Sequence, residues 1–204
     1  MRVRRLAMML SGLEQLQCPS AELEQYTTDG DLAARWLTDI STFGDLNQES
    51  RVVDLGSGNG ILGLGALALG VRSAILIDAD KSACDVSQSN AEKMGFIDSA
   101  TVIQARIGID PIGLDSADLV ISNPPWGRQS PKADRPFLDE VLSNRLPTHL
   151  MHSAEASHIE PLFESRDWLV ERYGEADFPL PATYSHHSRQ RGKTRAAFWR
   201  LTPI

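Results

Sequence analysis

The residues best suited to chemistry are Asn123-Pro124-Pro125-Trp126, which follow directly on the apolar run Leu119-Val120-Ile121-Ser122. A short run that is apolar at nearly every position reads as a strand buried on both faces, and ligands of such sheets bind beyond the carboxyl ends of the strands. There an asparagine side-chain oxygen and the Pro124 carbonyl can each accept one N–H from a planar exocyclic amine. The lone pair of that amine is delocalised into its ring, which makes it a poor nucleophile. The two bonds draw the nitrogen toward tetrahedral geometry and aim the lone pair at a methyl donor. Two prolines stiffen the turn, and Trp126 offers a face on which a base can stack. Asn123, Pro124, Pro125 and Trp126 are therefore the candidate catalytic residues.

Two motifs upstream supply a place for a cofactor. Val52-Val53-Asp54-Leu55-Gly56-Ser57-Gly58-Asn59-Gly60 carries a strand into three alternating glycines, which permit a tight turn and a close approach of a ligand to the backbone. The spacing lacks the third glycine of the dinucleotide fingerprint, and no Gly-Lys-Ser/Thr follows, which excludes a P-loop. Ile75-Leu76-Ile77-Asp78 ends a second strand in an acid, 20 residues after Gly58. A carboxylate there can accept both hydroxyls of a ribose. Asp80 is the better cap for the helix that follows, so Asp78 reads as a ligand. The pair specifies a nucleoside cofactor without saying which.

These motifs need a frame. Strands are expected at 51–55, 73–77, 100–104, 117–122 and 148–152, with two more at 174–180 and 195–201. Helices are expected at 1–16, 29–42, 61–69, 80–94, 137–144 and 156–173, with Asp29 or Asp31 as a cap for the second. Alternation of strand and helix predicts an α/β fold whose sheet is mostly parallel, with helices on both faces. A chain of 204 residues, 42% hydrophobic and 23% charged, suits one domain with a sizeable core. No apolar run approaches the length of a membrane span, and the first residues lack the pattern of a secretory signal. The two cysteines, Cys18 and Cys84, have no neighbours at ligand spacing. A disulfide framework and a zinc site are not supported, and the expected compartment is a reducing cytoplasm.

The charge is uneven. The chain carries a net −7, yet residues 185–204 hold five bases and no acid, leaving 15 bases against 27 acids elsewhere. Sixteen of the 20 bases are Arg, the side chain suited to bidentate phosphate contact and to stacking on bases. The segment 185–200 is the candidate phosphate-contacting element. The histidines, at 149, 152, 158, 186 and 187, form no ligand set by spacing. His149 and His152 flank a strand and read as structural, and no metal is assigned.

Together the three motifs resemble a Rossmann-like class I methyltransferase dependent on S-adenosylmethionine and acting on an amino nitrogen. A longer match is more specific. Leu23-Glu24-Gln25-Tyr26-Thr27-Thr28 with Ala33-Ala34-Arg35, then Asp134, Phe137 and Leu138, then Leu180-Pro181-Ala182-Thr183-Tyr184 with His187, is similar to segments of the methyltransferase-like-five family. Its members are adenosine N6-methyltransferases of small-subunit rRNA. The resemblance implies a seven-stranded sheet, with residues 1–28 as a helical extension closing over the cofactor and 29–204 as the methyltransferase domain. It implies that Gln25 and Thr28 meet the methionine end of the cofactor with Tyr26 beside them, that Gly56 and Asn59 line its loop, and that Asp78 holds its ribose. Asp54, Gly58 and Gly60 complete that site as read from the loop itself. His187, Arg189, Arg191 and Lys193 are the candidate RNA contacts. Family members in eukaryotes work with a small zinc-binding activator protein, which makes such a partner an expectation here.

Three departures from the family pattern stand out. Trp126 replaces Phe and keeps the stacking face. Thr27 replaces Pro. Arg106 stands where the family has an Asp that bonds the cofactor's adenine, and Arg has no acceptor. Adenine recognition then falls to backbone, at Ile107, or to Asp110. Two alternatives remain beside RNA methylation. The Asn-Pro-Pro-aromatic motif also serves protein glutamine N5-methyltransferases, and the departure at Arg106 fits a non-catalytic RNA-binding or assembly subunit that kept the fold.

Overall fold

The structure, a computed structural model, describes residues 1–20, 23–26, 28–179 and 193–204. In chain order its elements are α1 (Val3–Ser11), α2 (Gly30–Thr42), β1 (Arg51–Leu55), α3 (Ile61–Leu69), β2 (Ser73–Asp78), α4 (Lys81–Met94), β3 (Ala100–Gln104), β4 (Leu119–Ser122), α5 (Arg135–Asn144), β5 (Thr148–Ser153), α6 (Ile159–Glu164), β6 (Trp168–Pro179) and β7 (Lys193–Pro203). The strands form one seven-stranded sheet in the order β3-β2-β1-β4-β5-β7-β6. The five strands from β3 to β5 run parallel, and β7 is antiparallel to both β5 and β6. This is the Rossmann-like methyltransferase fold that the motifs imply. The chain leaves β1 toward β2 on one side and returns to β4 on the other, and that reversal opens a crevice at the carboxyl ends of β1 and β4.

Alternate residues of the strands feed two apolar layers. Val52, Leu119, Ile121 and Phe198 face the layer built by α1, α2 and α3. Val53, Leu55, Val120 and Leu150 face the layer of α5 and α6, around Leu138, Val141, Ile159 and Phe163. Leu6 and Leu10 of α1 are fully buried, so this helix is part of the first layer. Close packing there depends on Gly65, where a Cβ would collide with the Leu37 side chain. Asp29 caps α2 through the N–H groups of Asp31 and Leu32, and Asp80 caps α4 through Ser82.

The end of the sheet is pinned by a buried polar chain. Trp36 Nε1–H donates to the Tyr173 hydroxyl (2.7 Å), which lies 3.0 Å from His149 Nδ1. His149 Nε2 is 2.9 Å from Asp45, and Arg200 donates to both Asp45 oxygens. The indole can only donate, so the phenol donates to Nδ1 and Nε2–H donates to Asp45. His149 thus holds a structural position, and burial lowers its pKa.

Two elements differ from the sequence reading. The helix expected over 156–173 is only the short α6, and Trp168 already starts β6. Asp167 turns the chain with φ +60°. Beyond it Trp168 is buried and Leu169 60% exposed, the period-two pattern of a strand. The first helix stops at Ser11, well before Leu16, and Gly12 closes it.

Candidate active site

The crevice contains a cavity of about 340 Å³. One wall is the glycine loop. Gly56 has φ +75°, and a Cβ there would lie 2.9 Å from the Phe137 ring, so turn geometry and close packing both demand glycine. The Gly56 and Ser57 N–H groups donate to Ile77 O, and Gly58 N–H donates to Asp78 Oδ2 at 2.8 Å. Asp78 Oδ1 accepts from Asp80 N–H at 2.9 Å. One carboxylate therefore ties the loop to the start of α4 and still turns lone pairs to the cavity. Burial raises the Asp78 pKa, the two N–H bonds pull it back, and Asp80 adds to the rise.

Asp54 is placed differently. It is buried behind the loop and absent from the cavity wall, with Oδ2 accepting from Gly63 N–H at 2.8 Å and Oδ1 left without a partner. Burial pushes its pKa up to about 7, with the Gly63 bond opposing and the Asp78 charge adding. It fastens the first turn of α3 and, unlike Gly56, Gly58 and Asn59 of the same loop, stands behind the wall. Gly60 also faces away, toward Leu64, Ser87 and Leu76.

The opposite wall comes from the N-terminal segment. Leu16, Leu23, Glu24, Gln25, Tyr26 and Thr28 line the cavity. Asn90 and Asn59 hold the approach to it: Asn90 Oδ1 accepts from Glu14 N–H, and both Asn side chains donate to Glu14 O. Gln25 Nε2 donates to Asp80 Oδ2 at 2.9 Å while its Oε1 accepts from Ser20 N–H. Gln25 therefore lines the cavity and fastens the segment beside Asp78. Glu24 has φ +49° and is buried. Its Oε2 accepts from Trp126 N–H (2.8 Å), and its Oε1 accepts from Gln129 N–H (2.6 Å) and Ser130 N–H (3.4 Å). A carboxylate on one wall thus holds the backbone of the loop that makes the other.

Asn123 stands where these parts meet. Its Oδ1 accepts from Trp126 Nε1–H at 3.0 Å, and its Nδ2 donates to Thr28 Oγ1 at 3.2 Å. An indole nitrogen is donor only, so the amide has one consistent orientation. Asn123 and Pro125 line the cavity, whereas Pro124, which is buried, and the half-buried Trp126 lie behind that wall. The indole packs on Phe178 (ring centroids 4.8 Å) and stacks on His152 (5.9 Å). Arg128 lies 5.7 Å over the same ring. The expected stacking face is thus largely spent on the protein, and the indole's polar edge sets the asparagine.

Comparison with known proteins bears on the family and the fold. The ribosomal protein L11 methyltransferase (PrmA) family matches residues 27–124, the part that carries β1 to β4. A crystal structure of a candidate RNA methyltransferase from Pyrococcus horikoshii superimposes with a TM-score of 0.87 at 29% identity, covering 100% of this chain and 98% of that one. An uncharacterized Methanocaldococcus jannaschii protein is 33% identical over 92% of this chain and 88% of its own length. The rRNA N(6)-adenosine-methyltransferase METTL5 of Danio rerio is 30% identical over the full length of both chains. The chain belongs to the METTL5 family. It is a methyltransferase by family and by fold.

Other positions of this METTL5-family chain fall into place around the cavity. Arg106 and Ile107 line it. Asp110 does not line it, because its Oδ2 accepts the Arg106 N–H at 2.7 Å. The Ile107 N–H bonds no described residue and stays available to an acceptor. Of the expected RNA contacts, His187, Arg189 and Arg191 lie outside the described residues, and Lys193 is described only as the first residue of β7. Two other bases of that segment serve the fold, Arg195 with Glu175 (2.8 Å) and Arg200 with Asp45 (2.8 Å).

Sequence reasoning missed Glu24 as a loop anchor and Asn90 as a clamp, since neither has a local signature. It also missed a cluster. Asp134, His152 and His158 bring one ligand atom each within 4.8 Å of one another, although spacing alone showed no ligand set. Among the described residues no helix is long and apolar enough to cross a membrane.

Proposed function

We propose that this chain transfers a methyl group from S-adenosylmethionine to the N6 amine of an adenosine in structured RNA, with small-subunit rRNA as the substrate and the cytoplasm as the compartment. The observation that carries this reading is Asn123. Its amide oxygen is fixed by one indole N–H (3.0 Å) and keeps a second lone pair for a substrate amine. The Pro124 carbonyl is the second acceptor that the motif implies for such an amine, although the Pro124 ring itself is buried behind the cavity wall. The Danio rerio, Drosophila melanogaster and Caenorhabditis elegans relatives, all named rRNA N(6)-adenosine methyltransferases, support the substrate class.

The residues present fit the cofactor. Asp78 offers acceptors for ribose hydroxyls, Gly58 opens to free space where a Cβ would stand, and the Ile107 N–H can serve the adenine ring. When bound, S-adenosylmethionine supplies an electrophilic methyl on a positively charged sulfonium. The chain's own work is alignment: Glu24 and Gln25 close the N-terminal wall, Thr28 and Trp126 fix the Asn123 amide, and the two acceptors orient the amine. The amine loses its proton to water as its nitrogen gains the methyl, so no strong base is needed. The target adenine must leave its stack to reach Asn123, and the basic residues around Arg189, Arg191 and Lys193 hold the flanking phosphates. A small zinc-binding activator is the partner that the family resemblance implies.

Transfer of labelled methyl into rRNA, compared with release-factor protein, tests the substrate class. Asn123→Ala should abolish transfer and leave S-adenosylmethionine binding within a few-fold of wild type. Near-normal turnover of this variant would remove Asn123 from the mechanism. Calorimetry showing no S-adenosylmethionine binding, alone or with the activator, would favour the non-catalytic subunit, and label in protein glutamine would favour the amide reaction.

A further inference from the structure

Behind Trp126, outside the cofactor cavity, three side chains from three elements converge. Asp134 precedes α5, His152 lies on β5, and His158 precedes α6. Asp134 Oδ2 lies 3.3 Å from His152 Nε2 and 2.5 Å from His158 Nε2. Asp134 stands at the N-cap of α5, where a carboxylate ordinarily accepts the helix's first N–H groups, yet it makes no capping bond. It is turned to the two imidazoles instead.

His152 supplies an independent observation. Its side chain is 2% exposed, and neither ring nitrogen has a hydrogen-bond partner. A buried imidazole held by no aligned hydrogen bond is costly, and its Nε2 faces the Asp134 carboxylate at 3.3 Å. We propose that Asp134, His152 and His158 bind one divalent cation of the zinc class, with two imidazoles and one carboxylate as ligands and a fourth position open to water. Bond lengths of about 2.0–2.2 Å place the donor atoms of a tetrahedral zinc about 3.3 to 3.5 Å apart. The Asp134–His152 pair already has that separation. His158 must draw back by about 1 Å on the same geometry, and its 52% exposure leaves it room to do so.

The position gives the ion a task. His152 stacks on the Trp126 indole that fixes Asn123, and Ala133 and Pro136, on either side of Asp134, line the cavity. A bound cation locks β5, the start of α5 and the approach to α6 behind the catalytic loop. It is a positioning device, and its binding can be read without methyl transfer.

The test is equilibrium dialysis of the full chain against Zn²⁺, with His158→Ala and Asp134→Asn beside wild type, all carrying Cys18→Ser to remove the exposed thiol. Wild type should retain one equivalent at micromolar or lower free zinc. Each variant should bind at least about 100-fold more weakly, since even outer-shell changes cost about 10–100-fold. Co²⁺ should quench part of the fluorescence of the four tryptophans in wild type, where Trp126 stacks on His152, and not in His158→Ala. The half-exposed position of His158 spares the fold, which circular dichroism verifies. Equal zinc affinity in wild type and both variants, or no stoichiometric retention by wild type, would overturn the proposal.

Discussion

Removing the Glu24 carboxylate tests whether the cofactor wall and the catalytic loop are one unit. Two short bonds, at 2.8 Å and 2.6 Å, join it to the Trp126 and Gln129 amides. Hydrogen bonds to a charged group contribute roughly 1.5–3 kcal/mol each. The 3.4 Å contact to Ser130 is too long to count. Against this stands the left-handed backbone of Glu24, which costs on the order of 1 kcal/mol and persists only because the surroundings impose it. Water can also replace part of each bond when the loop opens. The net is about 2–4 kcal/mol of closure free energy, or about 30-fold to 1,000-fold in an equilibrium constant. Glu24→Ala should therefore weaken S-adenosylmethionine binding by at least about 30-fold on this arithmetic. Hydrogen exchange at the Trp126 and Gln129 amides should accelerate by a similar factor, which separates loss of the anchor from loss of a direct contact. Weakened binding with unchanged exchange at 126–130, or no change in either, would refute the reasoning.

Trp126→Phe keeps an aromatic face and deletes one hydrogen bond to Asn123, worth about 1 kcal/mol, so kcat should fall about fivefold with cofactor affinity unchanged; steady-state kinetics with calorimetry reads both. Asp54 has a folded pKa of about 7, above its unfolded value. The folded state therefore holds an extra proton below that pH, and stability is lost as pH rises through it. Asp54→Asn should flatten the curve between about pH 4 and 7, where raising a pKa by one corresponds to about 1.4 kcal/mol; parallel urea-melt series for the two proteins would sink this. Reversing Arg189, Arg191 and Lys193 together should flatten the salt dependence of RNA binding, because each lost phosphate contact lowers the log–log slope by about 0.7–0.9. An unchanged slope moves the RNA surface elsewhere.

The parallel half of the sheet was legible because its strands are buried on both faces and read as continuous apolar runs, with Gly56, Asp78 and Asn123 at their carboxyl ends. The antiparallel end was harder. The segment from Trp168 to Glu171 alternates in burial, but the charged residues Glu171 and Arg172 fit a helical period as well, and the turn at Asp167 (φ +60°) decides for a strand. Within the site, residue types were readable and directions were not. Asp54 and Asp78 both end strands, yet one points back to Gly63 and the other toward the cavity. Gln25 and Glu24 sit in a recognisable segment, but their partners Asp80 and Gln129 lie 55 and 105 positions away. The cluster of Asp134, His152 and His158 has no sequence period at all, since α5, β5 and α6 meet only through the packing of one face of the sheet.

The charge of the chain takes on a sharper meaning from the same contacts. A net −7 argues against nucleic acid when read as a total. In the fold, two of the five bases in the 185–204 segment are paired, Arg195 with Glu175 and Arg200 with Asp45. Arg200 lies in the polar chain that runs through Asp45, His149, Tyr173 and Trp36. Part of the apparent basic tail is therefore mortar between β7 and the loop after α2. The remaining three bases of the segment, Arg189, Arg191 and Lys193, lie close together in sequence, in a chain whose remainder is acidic. Under the proposed function, long-range attraction to RNA is then weak, and the proposal assigns recognition to short-range fit around Asn123. On that reading Thr28 and Trp126 hold the Asn123 amide in one orientation, and Glu24 holds the loop that carries Trp126. A site that cannot rely on charge to hold its substrate gains most from acceptors already in place when the base arrives.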